Sequence, residues 1–109
     1  MKNIRVKGQR WFDKVNGNTY CASKIYIDGE HILTTDWTYG YGDFFIQLAE
    51  EELSKLELIN NPRYDNGGKD PLWRYCSEND IKFDYEVTDG LKRELVAFSK
   101  DKPEQRTMK

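Results

Sequence analysis

The segment Arg10–Tyr20 has the sequence RWFDKVNGNTY, and it determines how the first part of the chain folds. Asn16-Gly17 favours a type I′ β-turn, because both central residues of that turn adopt positive φ. A second pair of this kind, Asp28-Gly29, follows along the chain, and apolar residues alternate with polar ones between the turns. We therefore predict a three-stranded antiparallel meander over residues 3–37, in which both turns are two-residue loops.

These turns would fix the strand register and therefore the two faces of the sheet. In that register Phe12 lies opposite Cys21, and Ile25 lies opposite Ile32. Side chains alternate across a strand, so one face, the core face, is apolar. It contains Ile4, Val6, Phe12, Cys21, Ile25, Ile27 and Ile32, with Arg10 among them. The opposite face, the aromatic-basic face, carries Arg5, Lys7, Gln9, Trp11, Tyr20, Lys24, Tyr26 and His31.

Two helices are predicted after the meander. Asp43 follows a glycine-punctuated turn and is a favourable N-cap for an amphipathic helix over residues 43–58. We expect this helix to cover the core face. After a loop at residues 60–70, Asp70-Pro71 predicts the start of a short helix that ends near Asn79.

The last part of the predicted domain is a hairpin. Residues 81–87 alternate strictly, Asp89-Gly90 favours a tight turn, and residues 91–98 follow as a second strand. In this register Glu86 faces Arg93 and Phe83 faces Val96.

The predicted fold class is α+β. An antiparallel sheet, made of the three-stranded meander and the C-terminal hairpin, packs on one longer and one short helix. Residues 1–98 form a single domain, as expected for a chain of 109 residues. Residues 99–109, SKDKPEQRTMK, are charged and lack apolar anchors, so we expect a disordered tail.

Composition and motifs argue against several classes of protein. The net charge of −2 does not suit a protein that coats DNA, which needs a strong basic excess. Cys21 and Cys76 are too few for a disulfide scaffold and do not form a zinc motif, so we expect both to be buried thiols in a reducing cytosol. No apolar run is long enough to span a membrane, and no secretory signal pattern is present.

Catalytic motifs are also missing from the sequence. His31 is the only histidine, and no serine or cysteine nucleophile stands in a recognisable elbow. Neither GxGxxG nor GxxxxGK[ST] occurs, and no metal-ligand spacing is present. We therefore expect a protein that is not an enzyme and has no cofactor.

The aromatic-basic face is the candidate binding site. Its aromatic side chains suit stacking on a base, and its cations suit phosphate. The YGYGD segment leads into a helix N-terminus, where backbone amides favour anions. The candidate ligand-binding residues are Arg10, Trp11, Asn18, Tyr20, Lys24, Tyr26, Tyr41, Asp43 and Arg63. Two alternatives to a ligand stay open for this face, since the 70–79 helix or a second copy of the protein would equally cover such a patch.

Two segments of the chain resemble a family of small uncharacterised bacteriophage proteins. The family patterns are RWF-x4-GNTYHS and GYGD-x2-LQ-x-A, and they are matched over roughly residues 4–53. Cys21 stands where the family pattern has His, and Ile46 stands where it has Leu. The matching residues are Arg10, Trp11, Phe12, Gly17, Asn18, Thr19, Tyr20, Gly40, Tyr41, Gly42, Asp43, Gln47 and Ala49.

The resemblance implies a phage accessory protein in the host cytoplasm, and such proteins without catalytic motifs often antagonise host defence. Our first hypothesis is that the protein sequesters a nucleotide-derived immune signal. The second is an anti-CRISPR-like inhibitor that contacts a host defence protein directly, for which the acidic run Glu50-Glu51-Glu52 offers a surface. The third is a small nucleic-acid-binding module. In each case we expect no membrane association and a homo-oligomer.

Overall fold

The computed structural model describes residues 2–56, 58 and 72–103. Within this part the chain forms strands β1 (Asn3–Asp13), β2 (Asn18–Ile27), β3 (Glu30–Thr34), β4 (Thr38–Tyr39) and β5 (Lys82–Gly90). It also forms helices α1 (Phe44–Lys55), α2 (Leu72–Glu78) and α3 (Lys92–Lys100). The fold is α+β, as the sequence predicts.

The sheet is mixed, and this corrects the prediction of an antiparallel sheet that ends in a C-terminal hairpin. The strand order is β3-β2-β1-β5, and β4 pairs with the far end of β2. β1 is antiparallel to β2 but parallel to β5. The parallel register sets a basic strand beside an acidic one, with Arg5 opposite Asp84, Lys7 opposite Glu86 and Arg10 opposite Asp89.

The first hairpin has the predicted faces but a different register. Phe12 lies opposite Thr19 and Arg10 opposite Cys21, so the pairing differs by two residues from the one that a two-residue Asn16-Gly17 turn would give. β1 instead ends at Asp13 and β2 begins at Asn18, so the loop between them is longer than the predicted two residues. A shift of two residues preserves the side-chain alternation, which is why the faces remain correct.

The second hairpin contains a bulge that the sequence pattern does not predict. Tyr26 pairs with His31, but Ile25 pairs with Leu33 because the register shifts between these positions. Leu33 therefore takes the place beside the core that is predicted for Ile32. Such a bulge inserts one residue and re-aims the side chains beyond it.

The main core lies between the core face and helices α1 and α2. Phe45, Ala49 and Leu53 of α1 are fully buried against the sheet, so the prediction that this helix covers the core face is confirmed. α2 adds Leu72 and Cys76 to the same cluster and therefore does not cover the aromatic-basic face. Phe12, predicted to be core, is 54% exposed because it lies at the end of β1 beyond the helices.

Gly8 allows α1 to approach the sheet closely. It lies in the middle of β1, and a Cβ at this position would lie 2.5 Å from Cδ2 of Phe45. Beside it, the buried hydroxyl of Ser23 donates to the carbonyl oxygen of Phe45. The backbone N–H of Ser23 donates in turn to Oγ1 of Thr35, at 2.9 Å. The close approach of Phe45 to Gly8 and the hydrogen bond from Ser23 together fix the start of α1 against β1 and β2.

The C-terminal segment forms helix α3 over Lys92–Lys100, so the prediction of a strand over residues 91–98 is wrong. The backbone N–H of Leu91 donates to Oε1 of Glu94 at 2.6 Å, which ties the first turn of α3 to the preceding corner. Leu95 is fully buried. The predicted pairs of Glu86 with Arg93 and Phe83 with Val96 consequently do not form, because α3 packs on the sheet instead of extending it.

The segment that we expect to begin a disordered tail is partly structured. α3 continues to Lys100, and the carbonyl oxygen of Asp101 accepts a hydrogen bond from Oγ1 of Thr34 at 2.8 Å. Nζ of Lys102 donates to the carbonyl oxygen of Thr34 at 3.0 Å and contacts Oδ1 of Asp36 at 3.1 Å. Residues 99–103 are thus attached to β3, while residues 104–109 lie outside the described part.

Candidate functional site

An aromatic row crosses three strands at one end of the aromatic-basic face. Trp11, Tyr20 and Tyr39 are neighbours in the register of β1, β2 and β4. The Trp11 and Tyr20 rings are stacked, with centroids 5.4 Å apart and planes inclined by 20°. Trp37 and Tyr39 meet Tyr20 edge-on, at 5.5 and 6.0 Å. The row is a preorganised set of rings, because each one fixes the orientation of the next.

Lys92 adds a cation to this row. Its Nζ lies 5.5 Å from the centroid of the Trp11 ring. Tyr20 of β2 stacks on one face of that ring, and Lys92 approaches from the opposite side of β1, where it follows β5. Trp11 is therefore held between an aromatic ring and a flexible cation. The cation–π contact contributes about 0.5–1 kcal/mol at an exposed site.

Trp11 also lines an open cleft of about 630 Å³, which we call the hairpin cleft. The cleft lies where β1 extends beyond the end of β5. Trp11 and Gly90 form the last pair of the parallel register, and β1 continues past them to Asp13. Its lining residues come from the β1–β2 hairpin, the Gly42 turn and the corner between β5 and α3. They are Arg10, Trp11, Phe12, Asp13, Lys14, Val15, Thr19, Gly42, Asp89, Gly90 and Leu91.

Arg10 fixes one wall of the cleft. Its Nε and Nη2 contact the two carboxylate oxygens of Asp89 at 2.7 and 3.0 Å, and its Nη1 donates to the carbonyl oxygen of Gly42 at 3.0 Å. The bidentate pair raises the pKa of Arg10 and lowers the pKa of Asp89. This guanidinium therefore joins β1, β5 and the turn before α1, and its charge is largely matched within the protein.

Asp13 fixes the opposite wall by shaping the hairpin loop. Its carboxylate accepts hydrogen bonds from the backbone N–H of Val15 at 3.0 Å and from Nδ2 of Asn16 at 2.8 Å. The hydrogen bond from Asn16 is the largest cause of a lowered pKa for Asp13. The loop thus presents Val15, 91% exposed, and Lys14 at the rim of the cleft.

Helix α3 covers the middle of the aromatic-basic face. Leu95 and, from β2, Ala22 are fully buried there, outside the main core cluster. Lys24 is engaged by this helix, since its Nζ lies 4.5 Å from the centroid of the Phe98 ring and 2.7 Å from Oδ2 of Asp101. The aromatic-basic face is consequently covered by a segment that the sequence pattern predicts to be a strand.

The far end of this face carries a separate stack. Tyr26 and His31 are stacked with centroids 4.9 Å apart, and Nζ of Lys7 lies 5.2 Å from the centroid of the Tyr26 ring. Burial, reinforced by Lys24, lowers the pKa of His31. Its Nε2 lies 2.8 Å from Oγ1 of Thr34. Because that hydroxyl donates to Asp101, the histidine is the donor in this pair.

The structure brings together only some of the nine predicted site residues. Arg10 and Trp11 line the cleft, Tyr20 stacks on Trp11, and Asn18 pairs with Asp13 at the base of the hairpin loop. The exposed Tyr41 and Asp43 flank the cleft residue Gly42, and Asp43 is the N-cap residue of α1 but makes no side-chain capping hydrogen bond. Residues that the structure places elsewhere or does not describe are Lys24, Tyr26 and Arg63.

Sequence reasoning missed Trp37, Tyr39 and Lys92. The first two stand two positions apart, which places them on one side of an extended segment, but the adjacent TYGYG sequence indicates only a turn. Lys92 falls in the predicted C-terminal strand, so its contact with Trp11 does not follow from the sequence pattern.

The described residues offer stacking and hydrogen bonding at this site. Among them, no group of three or more His, Cys, Asp or Glu side chains is placed to hold a metal ion. Burial raises the pKa of both Cys21 and Cys76 to about 11, so neither thiol is activated as a nucleophile. No helix in the described ranges has the length and apolar character needed to cross a membrane.

Comparison with protein-family models, curated proteins and solved structures finds no match to this chain.

Proposed function

We propose that this protein is a non-enzymatic binding protein that takes a nucleotide-derived small molecule in the hairpin cleft. By this proposal it is encoded by a bacteriophage and antagonises host defence in the host cytoplasm by sequestering such a signal. The observation that carries the proposal is that Trp11 lines the cleft and that Tyr20 supports one face of its ring.

A base is the ligand group that suits this ring. A base that stacks on the face of Trp11 not covered by Tyr20 would displace the ammonium of Lys92, which is exposed and held by a weak contact. The displaced ammonium stays within reach of a phosphate on the same ligand. One side chain thus occupies the stacking position in the free protein and neutralises charge in the complex, as base-stacking proteins require.

The size and lining of the cleft support a small ligand. Its volume of about 630 Å³ lies within the range of about 300–1,000 Å³ that is usual for small-molecule sites. Arg10 is already paired with Asp89, so a phosphate would meet Lys14, which lines the cleft, and Lys92, which contacts the Trp11 ring, without breaking a bidentate pair.

A second candidate function is direct contact with a host defence protein. It is favoured by the exposed apolar side chains of Phe12, Val15 and Leu91 around the same cleft. The acidic run on α1 supports it less than expected, because Glu50 is only 4% exposed. The aromatic-basic face likewise gives little support to a nucleic-acid-binding module, since Arg5 is paired with Asp84 and Glu86.

The test is a calorimetric screen of the purified protein against mononucleotides, cyclic nucleotides, cyclic dinucleotides and ADP-ribose derivatives. We expect one class to bind, and Trp11→Ala to weaken that binding by about tenfold or more, because stacking on an aromatic ring contributes about 1–3 kcal/mol per base. Trp73→Ala is the matched control, since Trp73 is an exposed tryptophan on α2 and does not line the cleft.

Two results would contradict the proposal. One is the absence of binding across all ligand classes. The other is binding that Trp11→Ala and Trp73→Ala weaken equally, because the ligand would then lie away from the aromatic row. In the first case, capture of a defence protein by the wild type but not by a Val15→Asp variant would support the second candidate.

A further inference from the structure

Strand β5 forms one edge of the sheet and has the features of a pairing surface. It has nine residues and pairs with β1 over its whole length without a register shift, whereas strands of about five or six residues are commonest. Within the described residues, no strand pairs with its outer edge. It contains neither a proline nor a bulge, two of the devices that prevent edge-to-edge association, and its charged side chains restrict the register in which it can pair.

The backbone of β5 determines which groups face outward. The N–H of Lys82 donates to the carbonyl oxygen of Lys2 at 2.9 Å, so the even-numbered residues of β5 direct their backbone groups to β1. The N–H and C=O groups of Phe83 and Tyr85 therefore point away from the sheet. An antiparallel partner strand would satisfy these groups in closely spaced pairs.

We infer that the β5 edge pairs with β5 of a second copy of this chain, antiparallel and with Asp84 on the twofold axis. In this register Lys82 lies opposite Glu86 of the second copy, and the twofold axis gives that opposite-charge pair twice. The two Asp84 side chains meet at the axis, but each is held by Arg5 of its own chain at 3.0 Å.

Charge and strand overlap together disfavour the neighbouring registers. An axis on Phe83 would set Lys82 opposite Asp84 twice, but it would pair only residues 82–84 of each β5. An axis on Tyr85 would set Asp84 opposite Glu86 in both halves and so bring four carboxylates together. An axis on Glu86 would set Glu86 opposite its own copy and leave Lys82 opposite Gly90, without a charge partner. Like charges opposite each other in a sheet are destabilising. The axes on Asp84 and on Glu86 each contain one such pair, but the axis on Asp84 also gives two pairs of Lys82 with Glu86, so it is the favoured one.

The apolar side of β5 fits the same register. Tyr85 is 53% exposed, and its ring lies 5.8 Å from that of Phe83 on the same strand. With the axis on Asp84, Phe83 of each chain lies opposite Tyr85 of the other. The pairing would therefore cover an exposed aromatic ring and join the two sheets into one. Residues 82–86, which pair in this register, do not line the hairpin cleft, so this inference does not depend on the proposed function.

Cysteine cross-linking tests the axis. Asp84 would occupy a pair whose Cα atoms are about 4.5 Å apart, which suits a disulfide. We expect Asp84→Cys to give a covalent dimer under mild oxidation, and Thr88→Cys to give none, because Thr88 would face the chain beyond β5 of the second copy. The native thiols are buried, so the wild type serves as the blank.

Charge exchange, followed by native mass spectrometry, tests the register independently. We expect the wild type to be a dimer and Lys82→Glu to weaken it about tenfold or more, since two attractive pairs become repulsive. Mixing Lys82→Glu with Glu86→Lys should restore a heterodimer. A wild type that stays monomeric, equal cross-linking at both cysteine positions, or a mixture that does not re-associate would each overturn the inference.

Discussion

At the scale of single residues, Gly8 shows how the absence of a side chain positions the helix layer. A Cβ there would lie 2.5 and 2.7 Å from two carbons of the Phe45 ring, closer than such atoms approach. Phe45 is itself fully buried, so it has little room to move. The close approach of α1 therefore depends on glycine at this position.

We expect Gly8→Ala to lower the free energy of unfolding by about 1–3 kcal/mol, the usual cost of overpacking a core. Urea denaturation measures it. Since Phe45→Ala removes the clashing Cγ, Cδ2 and Cε2 atoms, Gly8→Ala should cost clearly less in that background. Equal costs in both backgrounds would show that the Phe45 ring is not the obstacle.

Aspartates that accept hydrogen bonds make the stability of this protein depend on pH. The pKa values of Asp13, Asp28, Asp89 and Asp101 lie below the ordinary value of 3.8, chiefly because of hydrogen bonds from Asn16, the backbone N–H groups of Lys2 and Asn3, Arg10 and Lys24, respectively. The unfolded chain therefore takes up protons first as the pH falls. Their stabilising contribution is present above that ordinary value and is lost as the pH falls through the folded-state values.

We accordingly expect the free energy of unfolding to decrease as the pH is lowered from about 6 to about 3. Asp89→Asn should flatten this dependence, because one of the four shifted groups is removed. Urea denaturation at a series of pH values measures both slopes. If the variant and the wild type have the same slope, the pair of Arg10 and Asp89 does not contribute to it.

At the scale of secondary-structure elements, α3 carries most of the difference between prediction and structure. Asp89-Gly90 resembles a hairpin turn, and a short apolar run such as LVAF is compatible with either a strand or a helix. Leu91, Leu95 and Phe98 do recur at helical spacing, and Glu94 is placed to accept from the N–H of Leu91. Local pattern alone does not decide between the two, because the choice depends on the sheet face that α3 covers.

We expect Leu95→Ala to lower the free energy of unfolding by about 2–4 kcal/mol, since Leu95 is fully buried between α3 and the sheet. Lys100→Ala, at an exposed position of the same helix, is the control and should change it little. Urea denaturation compares the two. A Leu95→Ala effect as small as that of Lys100→Ala would mean that α3 is not packed on the sheet in solution.

The candidate site was predictable as far as strand alternation reaches. Trp11 and Tyr20 share a face in every register that differs by two residues, so their common face followed from the sequence. Their stacking did not, because it depends on the observed register, in which the two residues lie directly opposite each other. The burial of Lys24 under Phe98 did not follow, because it depends on α3. One feature of the sequence does indicate that β5 pairs with β1. Three carboxylates in β5 have the same spacing as three cations in β1. That match is visible only once a parallel pairing is considered.

At the scale of the whole molecule, the sheet combines local and distant pairings. β1, β2 and β3 are joined by short turns, whereas the contact of Arg5 with Asp84 spans 79 positions of sequence. Closing the longer loop costs more chain entropy before any contact forms. We therefore infer that the meander is formed in the folding transition state and that β5 joins afterwards.

This order predicts different kinetic effects for two core substitutions. Ile25→Val, in the meander, should mainly slow folding, and Val87→Ala, in β5, should mainly speed unfolding. Stopped-flow kinetics in urea separate the two rates. Similar ratios of kinetic to equilibrium change for both substitutions would contradict the inferred order.

The matched charges of β1 and β5 have a consequence while the chain is being synthesised. Residues 3–34 leave the ribosome well before β5 exists, so for that interval the edge of β1 is open to any other nascent chain. Arg5, Lys7 and Arg10 then lack their later carboxylate neighbours, and their like charges repel the same edge on another ribosome. These cations of β1 therefore prevent it from pairing with the same edge of another chain until β5 has been synthesised.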